Sequence, residues 1–229
     1  THINADFDAL ASMLAAQKLY PDALVVFPGS HEKSLRTFFI SAMAYLLNMT
    51  DIKDLDFDAI KRLILVDTSQ ADRIGKLSEL LENPDLEIHI YDHHPSKPKD
   101  IKGHAGTHEL TGATVSILAE EIQKRGVDVT PDEATIMCLG IYEDTGSFTF
   151  SSTTEKDFRA AAFLLSKGAN LNTVSSLITR EISPEQVKLL NDMLQASTTY
   201  NINGLEILVP TVSCDHYVTD FAFLVHKML

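Results

Sequence analysis

Acidic and histidine side chains recur in this sequence at the points where apolar segments end. Asp67 follows the apolar run at 63–66, and the tripeptide Asp92-His93-His94 follows the run at 86–91. In a sheet of parallel strands, ligands and metals bind beyond the carboxyl ends of the strands. The remaining members of this set are His2, Asp6 and Asp8 near the start of the sequence, and Asp144 at the end of an apolar helix. We therefore expect these polar clusters to lie near one another.

The four carboxylates of Asp6, Asp8, Asp67 and Asp144 would repel one another if they were brought together in a partly buried site. Two divalent cations would balance their charge. Mixed aspartate oxygen and histidine nitrogen donors suit Mn²⁺, Co²⁺, Fe²⁺ or Zn²⁺, whereas sites made only of oxygen favour Mg²⁺ or Ca²⁺. Two cations about 3.5–4 Å apart can clamp an in-line displacement at phosphorus.

Each cluster also has a simpler interpretation when it is taken alone. Asp8 could cap the helix that begins there, and Asp67 could belong to an ordinary turn between a strand and a helix. Asp144 could be part of a loop at a helix end, His2 could be solvated, and Asp92-His93-His94 could be a polar turn. The joint occurrence of all of them at one kind of location favours the metal centre. A weaker candidate is the helix start at 112–116, whose backbone N–H groups could bind a phosphate.

Alternation of apolar strands and helices predicts the fold class. Strands are expected at 23–27, 63–66 and 87–91. One helix is expected to begin at Asp8, and a second is expected after residue 30 and up to about residue 47. Further helices are expected at 71–82, 112–125, 130–144, 154–167 and 172–179, with an extended segment at 147–150. This order is typical of an α/β fold with a mostly parallel sheet and helices on both faces.

The pattern changes towards the end of the sequence. A helix starts with a capping box at Ser183, and a β-hairpin is predicted around Asn203-Gly204, followed by a helix from about residue 218. We therefore expect a first domain at 1–195 and the truncated beginning of a second α/β domain at 196–229. A further strand is expected before the polar segment at the start.

Composition excludes several classes of protein. The 229 residues are 45% hydrophobic and carry a formal net charge of −13, which argues against a surface that coats nucleic acid or anionic lipid. The sequence contains two cysteines, far apart, and no run that could span a membrane or act as a signal peptide. A cytoplasmic location without a membrane partner is therefore expected.

The ordered motifs resemble the DHH phosphoesterase superfamily. They are His2-x-Asn4-Ala5-Asp6-x-Asp8, Val66-Asp67-Thr68, Asp92-His93-His94-Pro95 and Glu143-Asp144-Thr145-Gly146-Ser147-Phe148. The resemblance covers residues 1 to about 195. Ala5 stands where the family usually has proline. Members include family II inorganic pyrophosphatases, RecJ-type exonucleases, oligoribonucleases that also dephosphorylate 3′-phosphoadenosine 5′-phosphate, and cyclic-dinucleotide phosphodiesterases.

The resemblance implies roles for individual residues. Asp8, Asp67, His93 and Asp144 would hold one cation, and His2, Asp6, Asp67 and Asp144 would hold the other. His94 would contact the scissile phosphate, and Asp92 would orient the histidines. The expected cofactor is a pair of Mn²⁺ ions, with Co²⁺, Mg²⁺ or Zn²⁺ as alternatives. The nucleophile would be a hydroxide that bridges the two metals.

The resemblance also implies substrates and partners. The expected function is hydrolysis of phosphate esters of small nucleotides or short oligonucleotides. The alternatives are an inorganic pyrophosphatase or exopolyphosphatase, and a non-catalytic nucleotide- or RNA-binding module. The second domain would be of the DHHA1 type, which normally holds substrate. The motifs also look like DHH modules fused to CBS and poly(A) polymerase-type nucleotidyltransferase domains. Further domains and a second copy of the chain are therefore expected partners.

Overall fold

The chain divides into two units, Thr1–Ile178 and Thr179–Leu229, in the computed structural model. The structure describes residues 1–29, 49–178, 183–214, 218 and 221–228. The division falls earlier than the boundary expected at residue 195, because the helix that starts at Pro184 makes its contacts within the second unit.

A parallel three-stranded sheet forms the centre of the first unit. Its strands are β1 (Arg62–Val66), β2 (Glu87–Asp92) and β3 (Ala105–His108), in the order β1-β2-β3. The predictions for 63–66 and 87–91 are confirmed. β3 is not among the predicted strands, because its four residues, Ala-Gly-Thr-His, carry no apolar pattern of the kind that identifies a strand.

The segment predicted as a strand at 23–27 is irregular, apart from an isolated parallel bridge between Val25 and Met49. Within the described residues, β1 pairs with β2 alone. A cavity of about 500 Å³ separates β1 from residues 20–26. The helix expected after residue 30 lies outside the described residues, and a further strand before Thr1 stays a prediction.

Helices cover both faces of the sheet, which confirms the α/β fold class. One face carries α1 (Phe7–Leu19), α2 (Thr114–Arg125) and α3 (Pro131–Asp144), whose buried side chains share one core. The other face is covered by short 3₁₀ helices whose apolar side chains pack on Leu63, Leu65 and Ile90. The remaining helices of this unit are α4 (Glu155–Ser166) and α5 (Leu171–Ile178).

Local signals explain most helix ends. α2 ends at Gly126, which has a left-handed φ of 64°, and α3 starts with the predicted capping box of Thr130 and Glu133 with Pro131 at its first position. The helix predicted at 71–82 is instead two 3₁₀ segments, Ala71–Arg73 and Gly75–Glu82. The break falls at Ile74, directly before Gly75, whose φ of 57° is incompatible with a continuous helix.

Two apolar helices cross closely where α3 carries a glycine. A Cβ atom on Gly140 would lie 2.7 Å from the Ala11 Cβ and 3.1 Å from the Asp8 Cα of α1. Only hydrogen fits at this position, so the two backbones approach closely. The crossing holds the N-terminal turn of α1 against the C-terminal half of α3.

The second unit contains α6 (Pro184–Gln195), the hairpin β4 (Ser197–Ile202) and β5 (Leu205–Pro210), and α7 (Phe221–His226). The hairpin turns at Asn203-Gly204, as predicted, with φ of 53° and 84°. Leu189, Met193 and Leu224 form the small buried core of this unit. Throughout the described residues, no helix is both long and apolar enough to cross a membrane.

Candidate metal centre

Asp6 and Asp8 have different local roles at the start of α1. Asp6 is the N-cap, and its Oδ1 accepts a hydrogen bond from the Ala9 N–H at 3.0 Å. Asp8 lies inside the first turn and is 1% exposed. The simpler interpretation of Asp8 as the cap of its own helix is therefore wrong.

Asp8 instead binds the N-terminus of another helix. Its two carboxylate oxygens accept hydrogen bonds from the backbone N–H groups of Thr114 and Val115, at 2.7 and 3.0 Å. The neighbouring N–H of Gly112 donates to Asp157 at 2.8 Å. These three N–H groups are satisfied by carboxylates, so the phosphate site suggested for the start of α2 is filled by the protein itself.

Asp67 occupies a strained position directly after β1. Its φ is +60°, a left-handed conformation that aspartate adopts more readily than most residues, and its backbone N–H donates to the Tyr91 carbonyl at 2.9 Å. The Thr114 hydroxyl donates to Asp67 Oδ1 at 3.0 Å, and His2 Nε2 lies 3.1 Å from Oδ2. The Asp67 carboxylate is thus buried at the middle of the cluster.

His93 has one ring nitrogen fixed by the backbone. Its Nδ1 lies 3.0 Å from the Thr111 carbonyl, an arrangement in which Nδ1–H donates. Nε2 then faces the carboxylates, 3.1 Å from Asp144 Oδ2 and 3.6 Å from Asp67 Oδ1. A histidine that ligates a metal through one nitrogen usually donates its other N–H to an oxygen of this kind.

His94 is held in a different way. Its Nδ1 lies 2.8 Å from Asp92 Oδ1, and its backbone N–H donates to the same oxygen at 3.2 Å. The His94 side chain is 38% exposed, whereas Asp92 is buried. The structure thus shows the contact expected between Asp92 and His94, with one His94 edge open to solvent.

Three overlapping groups of donors result from these positions. Within each group one donor atom per residue lies within 4.8 Å of the others, and the groups are His2, Asp6 and Asp67; Asp8, His93 and Asp144; and Asp67, His93 and His94. The first two groups are subsets of the two predicted ligand sets. The structure therefore brings together the six residues predicted as ligands, with His94 beside them.

Burial and mutual repulsion raise the pKa values of the clustered carboxylates. Burial, followed by the charge of Asp67, raises the pKa of Asp6 and raises that of Asp8 well above the ordinary aspartate value. Burial is also the main cause that raises the pKa of Asp144 to about 6. A cation placed among these groups would remove the repulsion.

The electrostatics of the histidine pair differ from those of the carboxylate cluster. Burial disfavours the charged form of Asp92, but hydrogen bonds from His94 and Ser69 together outweigh it and lower the pKa of Asp92. The Asp92 hydrogen bond in turn raises the pKa of His94. The raised pKa favours the protonated form of the His94 ring.

The donor set fits divalent cations. Donor atoms bound to one cation at about 2.1 Å lie roughly 3.0–3.5 Å apart, and the His2–Asp67 and His93–Asp144 pairs are both separated by 3.1 Å. His2 Nδ1 is buried, and no hydrogen bond reaches it from the described part of the chain. Mixed nitrogen and oxygen donors favour Mn²⁺, Co²⁺ or Zn²⁺ over Ca²⁺.

Sequence reasoning missed the residues that hold the ligands in place. The Thr111 carbonyl and the Thr114 hydroxyl contact His93 and Asp67, and the Glu143 carboxylate accepts the Phe7 N–H at 2.7 Å. Glu143 stands in the fourth motif without a predicted role, whereas Thr111 and Thr114 lie outside all four motifs. Backbone contacts of this kind depend on tertiary structure and leave no pattern of spacing.

Comparisons with known proteins agree with this geometry. The chain is 49% identical over 228 residues to an A-adding tRNA nucleotidyltransferase of Geobacter sulfurreducens, a match that spans all of this chain and 26% of that protein. It is 28% identical over 169 residues to a probable bifunctional oligoribonuclease and PAP phosphatase NrnA of Streptococcus mutans, covering 72% of this chain and 50% of that protein. The chain thus spans about a quarter to a half of the length of these relatives.

A solved structure has the same fold. The crystal structure of an exopolyphosphatase-related protein from Bacteroides fragilis matches with a TM-score of 0.68 and 18% identity, covering 87% of this chain and 60% of that one. The model of the DHH family, N-terminal domain, matches residues 1–141. The matched region holds five of the six predicted ligands and ends three residues before the sixth, Asp144. The chain therefore belongs to the DHH family.

Proposed function

We propose that the chain is the metal-binding part of a phosphoesterase that hydrolyses phosphate esters of small nucleotides or short oligonucleotides, with Mn²⁺ as the preferred cation. The observation that carries this proposal is that Asp67 belongs to two donor groups, one with His2 and Asp6 and one with His93. Two cations that lie close together need at least one residue that can bind both of them. The similarity to a probable oligoribonuclease and PAP phosphatase supports the substrate class.

In this proposal, Asp8, Asp67, His93 and Asp144 hold one cation. The second cation is held by His2, Asp6, Asp67 and Asp144. When bound, such cations neutralise phosphate charge, polarise the phosphoryl oxygens and lower the pKa of water. The protein supplies fixed positions for the donors, since Asp67 and His93 are each held by a further hydrogen bond from their surroundings.

His94 has a separate proposed role at the edge of the centre. Its Nδ1 is oriented by Asp92, so Nε2 is the ring nitrogen left for substrate, on a side chain that is 38% exposed. Because the pKa of His94 is raised, a protonated ring can donate to an oxygen of the scissile phosphate. Asp92 then acts as a positioning residue for that proton.

A substrate panel tests the proposed function. Wild type and Asp67→Asn would be assayed with Mn²⁺ and with 3′-phosphoadenosine 5′-phosphate, short RNA, pyrophosphate and polyphosphate. We expect turnover of the first two substrates by wild type, with a loss of at least 100-fold in the variant. Equal turnover by both proteins would contradict the proposal, and preference for pyrophosphate or polyphosphate would favour the pyrophosphatase alternative.

A second candidate function is a nucleotide- or RNA-binding module within a larger protein. It is favoured by the 49% identity to an A-adding tRNA nucleotidyltransferase, of which this chain matches only 26%. Titration calorimetry separates the two candidates. Binding of 3′-phosphoadenosine 5′-phosphate or short RNA in the presence of Mn²⁺, without turnover, would support the binding module.

We also propose the second unit as the beginning of a DHHA1-type domain that holds substrate. Apolar side chains of the hairpin are exposed on both strands, including Tyr200, Ile202, Leu205 and Ile207. A two-stranded hairpin is marginally stable by itself, and further structure of the same domain would cover these side chains. Burial of the hairpin side chains in a longer form of the protein, measured by hydrogen exchange, would test this assignment.

A further inference from the structure

We propose that Asp157, a residue outside all four motifs, is a positioning residue for the metal centre. Its carboxylate is fully buried in the structure, at the first turn of α4. The inference rests on the metal centre of the proposed function. It adds a residue that touches no cation and no substrate but fixes the groups that do.

The carboxylate of Asp157 joins three segments of the chain. Oδ2 accepts hydrogen bonds from the Gly112 N–H at 2.8 Å and from the N–H and hydroxyl of Thr154 at 2.7 and 2.8 Å. Oδ1 accepts from the Ser116 hydroxyl at 2.6 Å. Capping of α4 uses only the two hydrogen bonds from Thr154. The bonds from Gly112 and Ser116 are therefore not needed for the cap.

The two donors beyond the cap lie in the segment that orients the metal ligands. Gly112 is flanked by Thr111, whose carbonyl accepts from His93 Nδ1, and Ser116 lies in the first turn of α2 together with Thr114. Thr114 donates its hydroxyl to Asp67 and its N–H to Asp8. Asp157 therefore anchors a segment with direct contacts to three predicted ligands.

The packing around Gly112 leaves little freedom for this segment. A Cβ atom at Gly112 would lie 2.7 Å from Asp157 Oδ2 and 2.6 Å from the Thr145 methyl group. The close approach of the backbone to the carboxylate is possible only with glycine. Thr145 directly follows Asp144 in the sequence. The packing at Gly112 therefore also involves the neighbour of a fourth predicted ligand.

This arrangement predicts a defined effect of removing the charge. In Asp157→Asn the amide oxygen can still accept from the Gly112 N–H, but the contact with Ser116 must reverse, with the amide N–H donating to the hydroxyl. Both bonds also lose the carboxylate charge that strengthens them, so the Thr111 carbonyl beside Gly112 would hold His93 less firmly in one tautomer. Changes in such outer groups typically weaken metal binding by about 10–100-fold.

Glu133 provides a matched control. It is a buried carboxylate at the third position of α3, in a capping box with Thr130 that is analogous to that of Asp157 with Thr154. It contacts Lys18 and its own helix start, and within the described residues it makes no hydrogen bond or ion pair with a predicted ligand. Glu133→Gln should therefore lower thermal stability without changing metal affinity.

The test measures Mn²⁺ binding by electron paramagnetic resonance in wild type, Asp157→Asn and Glu133→Gln. We expect a 10–100-fold weaker affinity in Asp157→Asn and wild-type affinity in Glu133→Gln. The ¹⁵N spectrum of the His93 ring should show a mixture of tautomers only in Asp157→Asn. Wild-type affinity in folded Asp157→Asn, or an equal loss in both variants, would overturn the inference.

Ser116→Ala serves as the second variant if Asp157→Asn does not fold. It removes one hydrogen bond from Asp157 and should weaken Mn²⁺ binding several-fold, and unchanged affinity would overturn the inference. Because the measurement is binding, the result is independent of hydrolysis. Wild-type protein that binds Mn²⁺ but turns over no phosphate ester would defeat the proposed hydrolase and leave this inference standing.

Discussion

The rings of His93 and His94 meet edge to face, with centroids 4.5 Å apart and planes at 66° to each other. Their Nδ1 atoms have different partners, the Thr111 carbonyl for His93 and the Asp92 carboxylate for His94. The two adjacent histidines thus have different surroundings. His93 Nε2 faces the buried carboxylates, whereas the His94 side chain is 38% exposed.

This geometry predicts that the two histidines have separable functions. His93→Ala should lose a metal ligand and weaken Mn²⁺ binding by at least about 10-fold, because a donor within 3.1 Å of Asp144 is removed. His94→Ala should retain Mn²⁺ and lose turnover. Metal analysis of both variants after dialysis gives the answer, and equal metal loss in both would contradict the division of roles.

The left-handed backbone at Asp67 predicts a difference between two substitutions. Asparagine tolerates φ near +60°, whereas alanine at that angle costs about 1 kcal/mol. Asp67→Ala should therefore unfold more easily than Asp67→Asn by about that amount, while both should lose Mn²⁺ binding. Urea unfolding of the metal-free proteins measures the difference. Asp72→Asn, on an exposed 3₁₀ segment, is the control for a lost charge.

The raised pKa of Asp144 predicts how metal-free stability depends on pH. An aspartate whose folded pKa is about 6 stabilises the folded state most below its unfolded pKa of about 4, and this contribution is lost as pH rises through 6. Asp144→Asn should therefore gain stability relative to wild type between pH 4 and 6. A shift of about 2 pKa units limits the gain to about 3 kcal/mol.

Thermal unfolding in EDTA across this pH range tests the effect of Asp144. The variant should exceed wild type in stability at pH 7 and approach it at pH 4. With saturating Mn²⁺ the order should reverse at pH 7, because the variant lacks a ligand. A constant difference in stability at all pH values would show that charge repulsion at Asp144 does not lower the stability of the metal-free protein.

Added metal should stabilise the folded protein. At a free Mn²⁺ concentration of about 100 times the dissociation constant, the gain is about 2.7 kcal/mol, or roughly 5–10 °C in melting temperature for a unit of this size. Ca²⁺ at the same concentration should give a smaller shift, because histidine donors suit it poorly. Differential scanning calorimetry measures both shifts, and equal shifts would contradict a centre that uses His2 and His93.

Much of the first unit could be predicted because its signals are local. The strands at Arg62–Val66 and Glu87–Asp92 are short apolar runs between polar residues. The capping box at the start of α3 is evident from the residue types in the sequence. The same strand ends locate Asp67 and Asp92. The convergence of these ends with α1 follows from the parallel order of the strands.

The features that were missed depend on contacts distant in sequence. β3 is defined only by its pairing with β2, and Asp8 caps α2 from 106 residues away. The segment at 147–150 was expected to be extended because Phe148 and Phe150 alternate with polar residues. It is instead a turn with left-handed φ at Ser147 and Phe148, where Phe148 stacks on Phe158.

The close crossing at Gly140 has a consequence for reading mutational data. Gly140 has no functional group, yet any side chain there would push against the Asp8 backbone at 3.1 Å. In a saturation scan scored by activity, this position should be as intolerant as the acidic residues themselves. An intolerant glycine in such a scan would then mark the close contact between α1 and α3, and a count of catalytic residues from the scan alone would include a residue without a functional group.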